Sequence, residues 1–200
     1  MIRAQIATYN IPVVESHNPV TDPIKFMTAI RNIEGSEGVV IAWSDGHRVK
    51  AKGDWYILRH RARDSIIREN YVIERIISEQ LDDIKPLLEP DMRHRLEKFE
   101  LYFWHGVKVT ADVWQAVNAS VRRTYGDDRK AFALADSTKV LDGNMKSAIF
   151  SAWGNPDFDW RKTVITVISK NISTQTRVDA ARGLWGGAKW AYGGNTGDDE

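Results

Sequence analysis

The stretch Glu37-Gly38-Val39-Val40-Ile41-Ala42-Trp43-Ser44-Asp45-Gly46-His47-Arg48-Val49-Lys50-Ala51-Lys52-Gly53-Asp54-Trp55-Tyr56 holds the change from strand to helix that organises the chain. Gly38–Trp43 and His47–Lys52 are rich in β-branched and aromatic residues, and Ser44-Asp45-Gly46 between them is a strong short-range hairpin signal. From Asp54 the period changes. Asp54 can cap a helix, and Trp55, Leu58, Ala62 and Ile66 follow at spacings of three to four. Upstream, Asp22-Pro23 supplies an N-cap and a first-turn proline, and Ile24, Met27 and Ile30 follow at helical spacing, a stripe expected to pack on the sheet. Ile2–Tyr9 reads as a short strand, followed by a loop through Pro12, His17, Asn18 and Pro19.

Downstream of the hairpin the pattern is helical throughout. Helices are expected near 69–80, 91–105, 111–125, 128–138, 143–153 and 157–171, separated by Pro86, Pro90, Gly106, Gly126, Asp142-Gly143 and Gly154-Asn155-Pro156. The last stretch, with Gly183, Gly186, Gly187, Gly193, Gly194 and Gly197 before Asp198-Asp199-Glu200, is expected to be mobile. The fold class is therefore α+β and mostly α, a short amino-terminal β-hairpin followed by an all-helical domain.

Composition narrows the chemistry. With no cysteine there are neither disulfides nor thiolate metal sites, so His, Asp and Glu are the side chains left to hold a metal. No run approaches the roughly 18 apolar residues of a membrane span and no signal-like segment opens the chain, so an intracellular, cytoplasmic protein with no membrane partner is expected. The net charge of +1 hides an asymmetry: residues 46–68 carry Arg48, Lys50, Lys52, Arg59, Arg61, Arg63 and Arg68 against Asp54 and Asp64. Such a segment is a candidate anion-binding surface.

Lys50 and Lys52 are two apart on a strand, so both leave one face with Cα atoms about 6.5–7 Å apart, while Val49 and Ala51 take the core side. Two ammonium groups so placed can grip a phosphate, and Glu37 at the entry of the partner strand can hold a hard divalent cation. Lysines on the solvent face of a hairpin are also ordinary, and spacing alone does not choose between the two uses. Trp55 and Tyr56 either stack on a base or cement hairpin to helix. His60, among Arg59, Arg61 and Arg63, is a candidate RNA contact rather than a metal ligand. Trp104, Trp114, Trp153 and Trp160 sit in helical patterns that suit a core.

Glu37-Gly38-Val39-Val40 followed by Lys50-x-Lys52 resembles motifs IV and V of the covalent nucleotidyltransferases, the superfamily of ATP-dependent ligases and capping enzymes. Together with Asp45-Gly46, Asp54-Trp55-Tyr56 and His60, in that order and at that spacing, it resembles the phage tRNA-repair RNA ligases. Asp128-Arg129-Lys130, Gly143, Met145, Ile149-Phe150 and Gly154 extend the resemblance into that family's carboxy-terminal helical domain, over roughly residues 20–170. It implies that residues 1–66 are the end of a nucleotidyltransferase domain, its sheet reduced to a hairpin remnant, that 67–172 are the helical domain and that 173–200 are a tail.

The resemblance further implies an RNA ligase joining 3′-hydroxyl and 5′-phosphate ends through adenylate intermediates, with ATP/AMP and Mg²⁺ as cofactors of the complete enzyme and tRNA cleaved in its anticodon loop as substrate. It makes Glu37, Lys50 and Lys52 catalytic, Glu37 also the metal ligand, and Gly38, Arg48, Trp55, Tyr56 and His60 candidates for nucleotide or RNA contact. Arg122, Arg123, Arg129, Lys130 and Lys146 are candidate phosphate contacts in the helical domain. The family's adenylated lysine lies in an upstream Lys-x-Asp-Gly motif, which is absent from this sequence. Lys139-Val140-Leu141-Asp142-Gly143 has one residue too many and reads as helix surface and turn. Two alternatives follow: a non-catalytic RNA-binding module, or one half of a split ligase that assembles with a separate amino-terminal half.

Overall fold

The first helix, α1 (Pro23–Arg31), begins as its sequence requires. Asp22 Oδ1 accepts hydrogen bonds from the amides of Ile24 and Lys25, both at 3.1 Å, and Pro23 occupies the first turn. The structure, a computed structural model, describes residues 15, 16 and 19–192. The strand expected at 2–9, the loop residues His17 and Asn18, and the end of the tail from Gly193 lie outside the described residues.

The chain divides into two compact units, with the division between Leu58 and Arg59. In the first unit, β1 (Gly38–Ala42) and β2 (Arg48–Lys52) form an antiparallel hairpin in the register Gly38↔Lys52, Val40↔Lys50, Ala42↔Arg48. The turn uses the expected chemistry: Asp45 Oδ1 accepts from the His47 amide at 2.9 Å, and Gly46 takes a positive φ of 90°. Gly53 lets the end of β2 tuck against α1, because a Cβ there would lie 2.8 Å from Ile33 Cγ2 and 3.0 Å from the Ile33 carbonyl oxygen.

Two expectations fail in this unit. Ile30 of the α1 stripe is buried, but Ile24 and Met27 are exposed, and Val49 is exposed although Ala51 beside it is buried. The reason is area. A five-residue, two-stranded hairpin cannot cover a whole helix face, so it buries what lies over its centre and leaves the rest to solvent.

The helix after the hairpin, α2 (Asp54–Ser65), carries the division between the units. Thereafter the chain is helical: α3 (Glu69–Ile77), α4 (Pro90–Tyr125), α5 (Arg129–Leu134), α6 (Gly143–Ala152), α7 (Trp160–Lys170) and α8 (Gln175–Ala181), with short 3₁₀ turns at Lys85–Leu87, Asp136–Thr138 and Arg182–Trp185. Leu96, Phe99, Phe103, Val107, Ala111 and Trp114 recur every three or four residues along α4 and form its buried stripe. Around it pack Val72, Ile73 and Ile76 of α3, Ala148 of α6, Val164 and Ile168 of α7, and Val178 of α8.

α4 runs 36 residues, about 54 Å, straight through the break expected at Gly106. Gly106 is there for contact, not for a turn: a Cβ on it would lie 2.1 Å from the backbone carbonyl carbon of Trp185. Gly126 does end the helix, at φ 56°. α5 and α6 start on aspartate caps, with Asp128 Oδ1 accepting from Ala131 at 2.8 Å and Asp142 Oδ1 from Asn144 at 2.9 Å. Lys139 is exposed and paired with Asp136 at 2.6 Å, a surface residue as expected.

The expectation of a mobile tail from 173 is overturned as far as Tyr192. Residues 175–185 are helical, Trp185 is fully buried and Trp190 is 5% exposed. Trp190 Nε1 donates to the Ile66 carbonyl at 2.7 Å, and Trp185 Nε1 to that of Ala188 at 2.8 Å. Glycine content misled here because the glycines serve reversal: Gly186 and Gly187 both take positive φ, folding the chain so that two tryptophans reach one core. Among the described residues no helix is long and apolar enough to cross a membrane.

Candidate functional site

Arg48, Lys50 and Lys52 alternate with Val49 and Ala51 on β2, so the three basic residues share one face. Across the ladder from Lys52 stands Gly38, with φ 137°, where a Cβ would lie 2.0 Å from the Ala51 carbonyl oxygen. No other residue fits that position. Beside Gly38 stands Glu37, whose own carbonyl accepts from the Gly53 amide at 3.1 Å and so ties it to the end of β2.

The charged groups then converge. Lys50 Nζ lies 2.6 Å and Lys52 Nζ 3.3 Å from the same oxygen, Glu37 Oε1. All three side chains remain accessible, at 49%, 42% and 38% of their surface, so a solute can reach them. Lys52 Nζ also sits 5.2 Å from the centroid of the Tyr56 ring, a cation–π contact that fixes where the lysine stands. Tyr56 is thus brought to the lysine pair by the first turn of α2. The hydrogen bond from Lys50, and after it that from Lys52, holds the Glu37 carboxyl below the usual glutamate range, with partial desolvation working the other way.

That shift carries a pH consequence. A carboxylate with a depressed pKa contributes stability above the ordinary glutamate range and loses it as the pH falls through its lowered value. The Glu37 side-chain carboxyl carbon, followed by NMR, should titrate below the ordinary glutamate range, and Lys50→Ala/Lys52→Ala should return it to that range. An unchanged midpoint in the double variant would mean that the lysines do not hold the carboxylate in solution.

The other candidates divide between the two units. Gly38, Arg48 and Trp55 belong to the first, with the lysine pair. His60 belongs to the second, where its Nδ1 meets Asp64 Oδ2 at 2.9 Å. In the helical unit Arg122 lies over the Trp153 ring at 4.6 Å and pairs with Asp127 at 2.7 Å, while Arg129 lies over Phe150 at 5.2 Å. Those two guanidinium groups therefore brace the aromatic cluster of Phe132, Phe150 and Trp153.

Among the described residues no group of three or more His, Asp and Glu side chains could hold a metal ion. Glu37 meets both lysines here; a magnesium ion at this carboxylate would take its remaining ligands from water and substrate phosphate. What sequence reasoning missed is that Glu37 meets the lysines directly. The available signal was its position one residue before the partner of Lys52.

No solved structure matches the chain. Residues 63–177, more than half of the 200, match the family model described as T4 RNA ligase 1, C-terminal domain. The match covers the helical unit from late in α2 through the start of α8 and does not extend over the hairpin. The chain belongs to the T4 RNA ligase 1 C-terminal domain family.

Proposed function

We propose that the chain serves an ATP-dependent RNA ligase that joins 3′-hydroxyl to 5′-phosphate RNA ends through adenylate intermediates in tRNA repair, and that its hairpin is the end of the nucleotidyltransferase domain. The family match supports the ligase lineage. The observation that carries the proposed chemistry is the convergence of Lys50 and Lys52 on one oxygen, which is the geometry two ammonium groups need to hold a single phosphate oxygen.

In this reading Lys50 and Lys52 stabilise negative charge on the phosphate being transferred, a role for preorganised cations in phosphoryl chemistry. Tyr56 keeps Lys52 in place. AMP would be carried by a lysine in an upstream Lys-x-Asp-Gly motif, which these 200 residues do not contain. The helical unit contributes tRNA contacts through Arg123, Lys130 and Lys146, with selectivity carried by RNA shape.

The test uses labelled ATP. The chain alone should form no covalent AMP adduct; joined to or mixed with an upstream part carrying the Lys-x-Asp-Gly lysine, it should restore adenylation and sealing of nicked anticodon stem-loop RNA. A robust adduct on the isolated chain would show the nucleophile to be misassigned. RNA binding without any restored sealing would instead favour a non-catalytic module.

A further inference from the structure

Both ammonium groups choose the same carboxylate oxygen rather than dividing between the two that Glu37 offers. A point held at 2.6 and 3.3 Å from two ammonium nitrogens is where an oxyanion oxygen sits in a lysine-lined phosphate site. The occupant is exchangeable because Glu37, though its carbonyl is tied to the Gly53 amide, carries its side chain on an accessible face. Lys52, in contrast, is fixed by its strand and by the Tyr56 ring.

We propose that Glu37 is the resident anion of the Lys50–Lys52 pair, and that a phosphate monoester or pyrophosphate group enters this site by displacing the Glu37 carboxylate. The proposal rests on the reading of the lysine pair as a phosphate site and adds that the site is self-occupied when empty of ligand. Two oxyanion oxygens cannot share the point between the nitrogens, and their like charges repel at that distance. Glu37 therefore acts as an internal competitor. Its removal has the opposite sign to removal of either lysine, which is not what a residue that only assists binding would show.

The experiment is calorimetric titration of the full chain with inorganic pyrophosphate in metal-free buffer, for wild type, Glu37→Gln, Glu34→Gln and Lys50→Ala/Lys52→Ala. Each exposed ion pair is worth a factor of about 1.4–5 in an equilibrium, so releasing two should tighten binding in Glu37→Gln about 2- to 25-fold. Glu34→Gln, which removes the same charge three residues away, should change it by less than about 2-fold. The lysine double variant should lose most of the binding.

Glu37→Gln binding no more tightly than Glu34→Gln, while the lysine variant still weakens, overturns the competition and leaves the phosphate site standing. Binding indifferent to the lysines overturns the site and the competition together. The wild-type chain provides a check that needs no variant: pyrophosphate should move the NMR signals of the Glu37 carboxyl carbon and the two lysine ammonium groups in step. Lysine signals that move while that of Glu37 stays would overturn the displacement.

Discussion

Arg182→Ala is expected to lower the stability of the helical unit by about 3–5 kcal/mol, read from urea denaturation, because it strands a buried carboxylate. Glu69 is 4% exposed, and its carboxylate is held by donors from far along the chain. Arg182 Nη2 donates to Oε2 at 2.8 Å and Nη1 to Oε1, Gln175 Nε2 reaches Oε2 at 2.9 Å, and the Trp190 amide reaches Oε1 at 3.0 Å. Arg182 also donates to the Ala188 carbonyl at 3.2 Å. Glu69 pairing first, and then Asp179, raises the guanidinium pKa, so Arg182 stays charged. Removing the arginine takes away both guanidinium hydrogen bonds and the positive charge at once. A loss under about 1 kcal/mol would mean that water or a neighbouring cation replaces it, and that the segment after α8 is held by its tryptophans alone.

The second large effect concerns the hairpin. In the assembled ligase, Lys50→Ala/Lys52→Ala should lower the rate of RNA sealing about 10²–10³-fold, the drop found when a preorganised donor to a developing oxyanion is removed. The effect should fall on kcat rather than on the KM for RNA, because the lysines act on the phosphate being transferred while the helical unit holds the RNA. RNA held by the helical unit should keep most of its affinity, with a log–log salt slope shallower by no more than about 0.7 for each phosphate that is no longer neutralised. A rate within about 10-fold of wild type would remove Lys50 and Lys52 from the chemistry and leave the hairpin as scaffold.

Much of the local structure is legible in the sequence. Asp22-Pro23 starts a helix where its side chain caps free amides, and Asp45-Gly46 turns the hairpin in the expected place. These are interactions between residues two to four positions apart, and short spacing is what a sequence displays directly. The pairing of Lys50 with Lys52 on one face is legible for the same reason.

The failures are all non-local. Gly106 reads as a helix breaker and is instead the place where the backbone at Trp185 comes closest to α4. The glycine-rich stretch after 182 reads as a tail, yet Trp190 reaches back more than a hundred residues to Ile66 and Glu69. The contact of Glu37 with two ammonium groups on one oxygen was likewise not read from the sequence, because it needs the two strands to be paired.

By itself, then, the sequence determined the order of strand and helix, the caps and turns, and the basic face of β2, because each depends on neighbours along the chain. Tertiary structure alone decided that one 36-residue helix replaces two, that the segment 173–192 belongs to the core, and that Glu37 fills the lysine pair. Those outcomes depend on which distant surfaces meet, and a glycine or a carboxylate looks the same in sequence whether it ends an element or receives one.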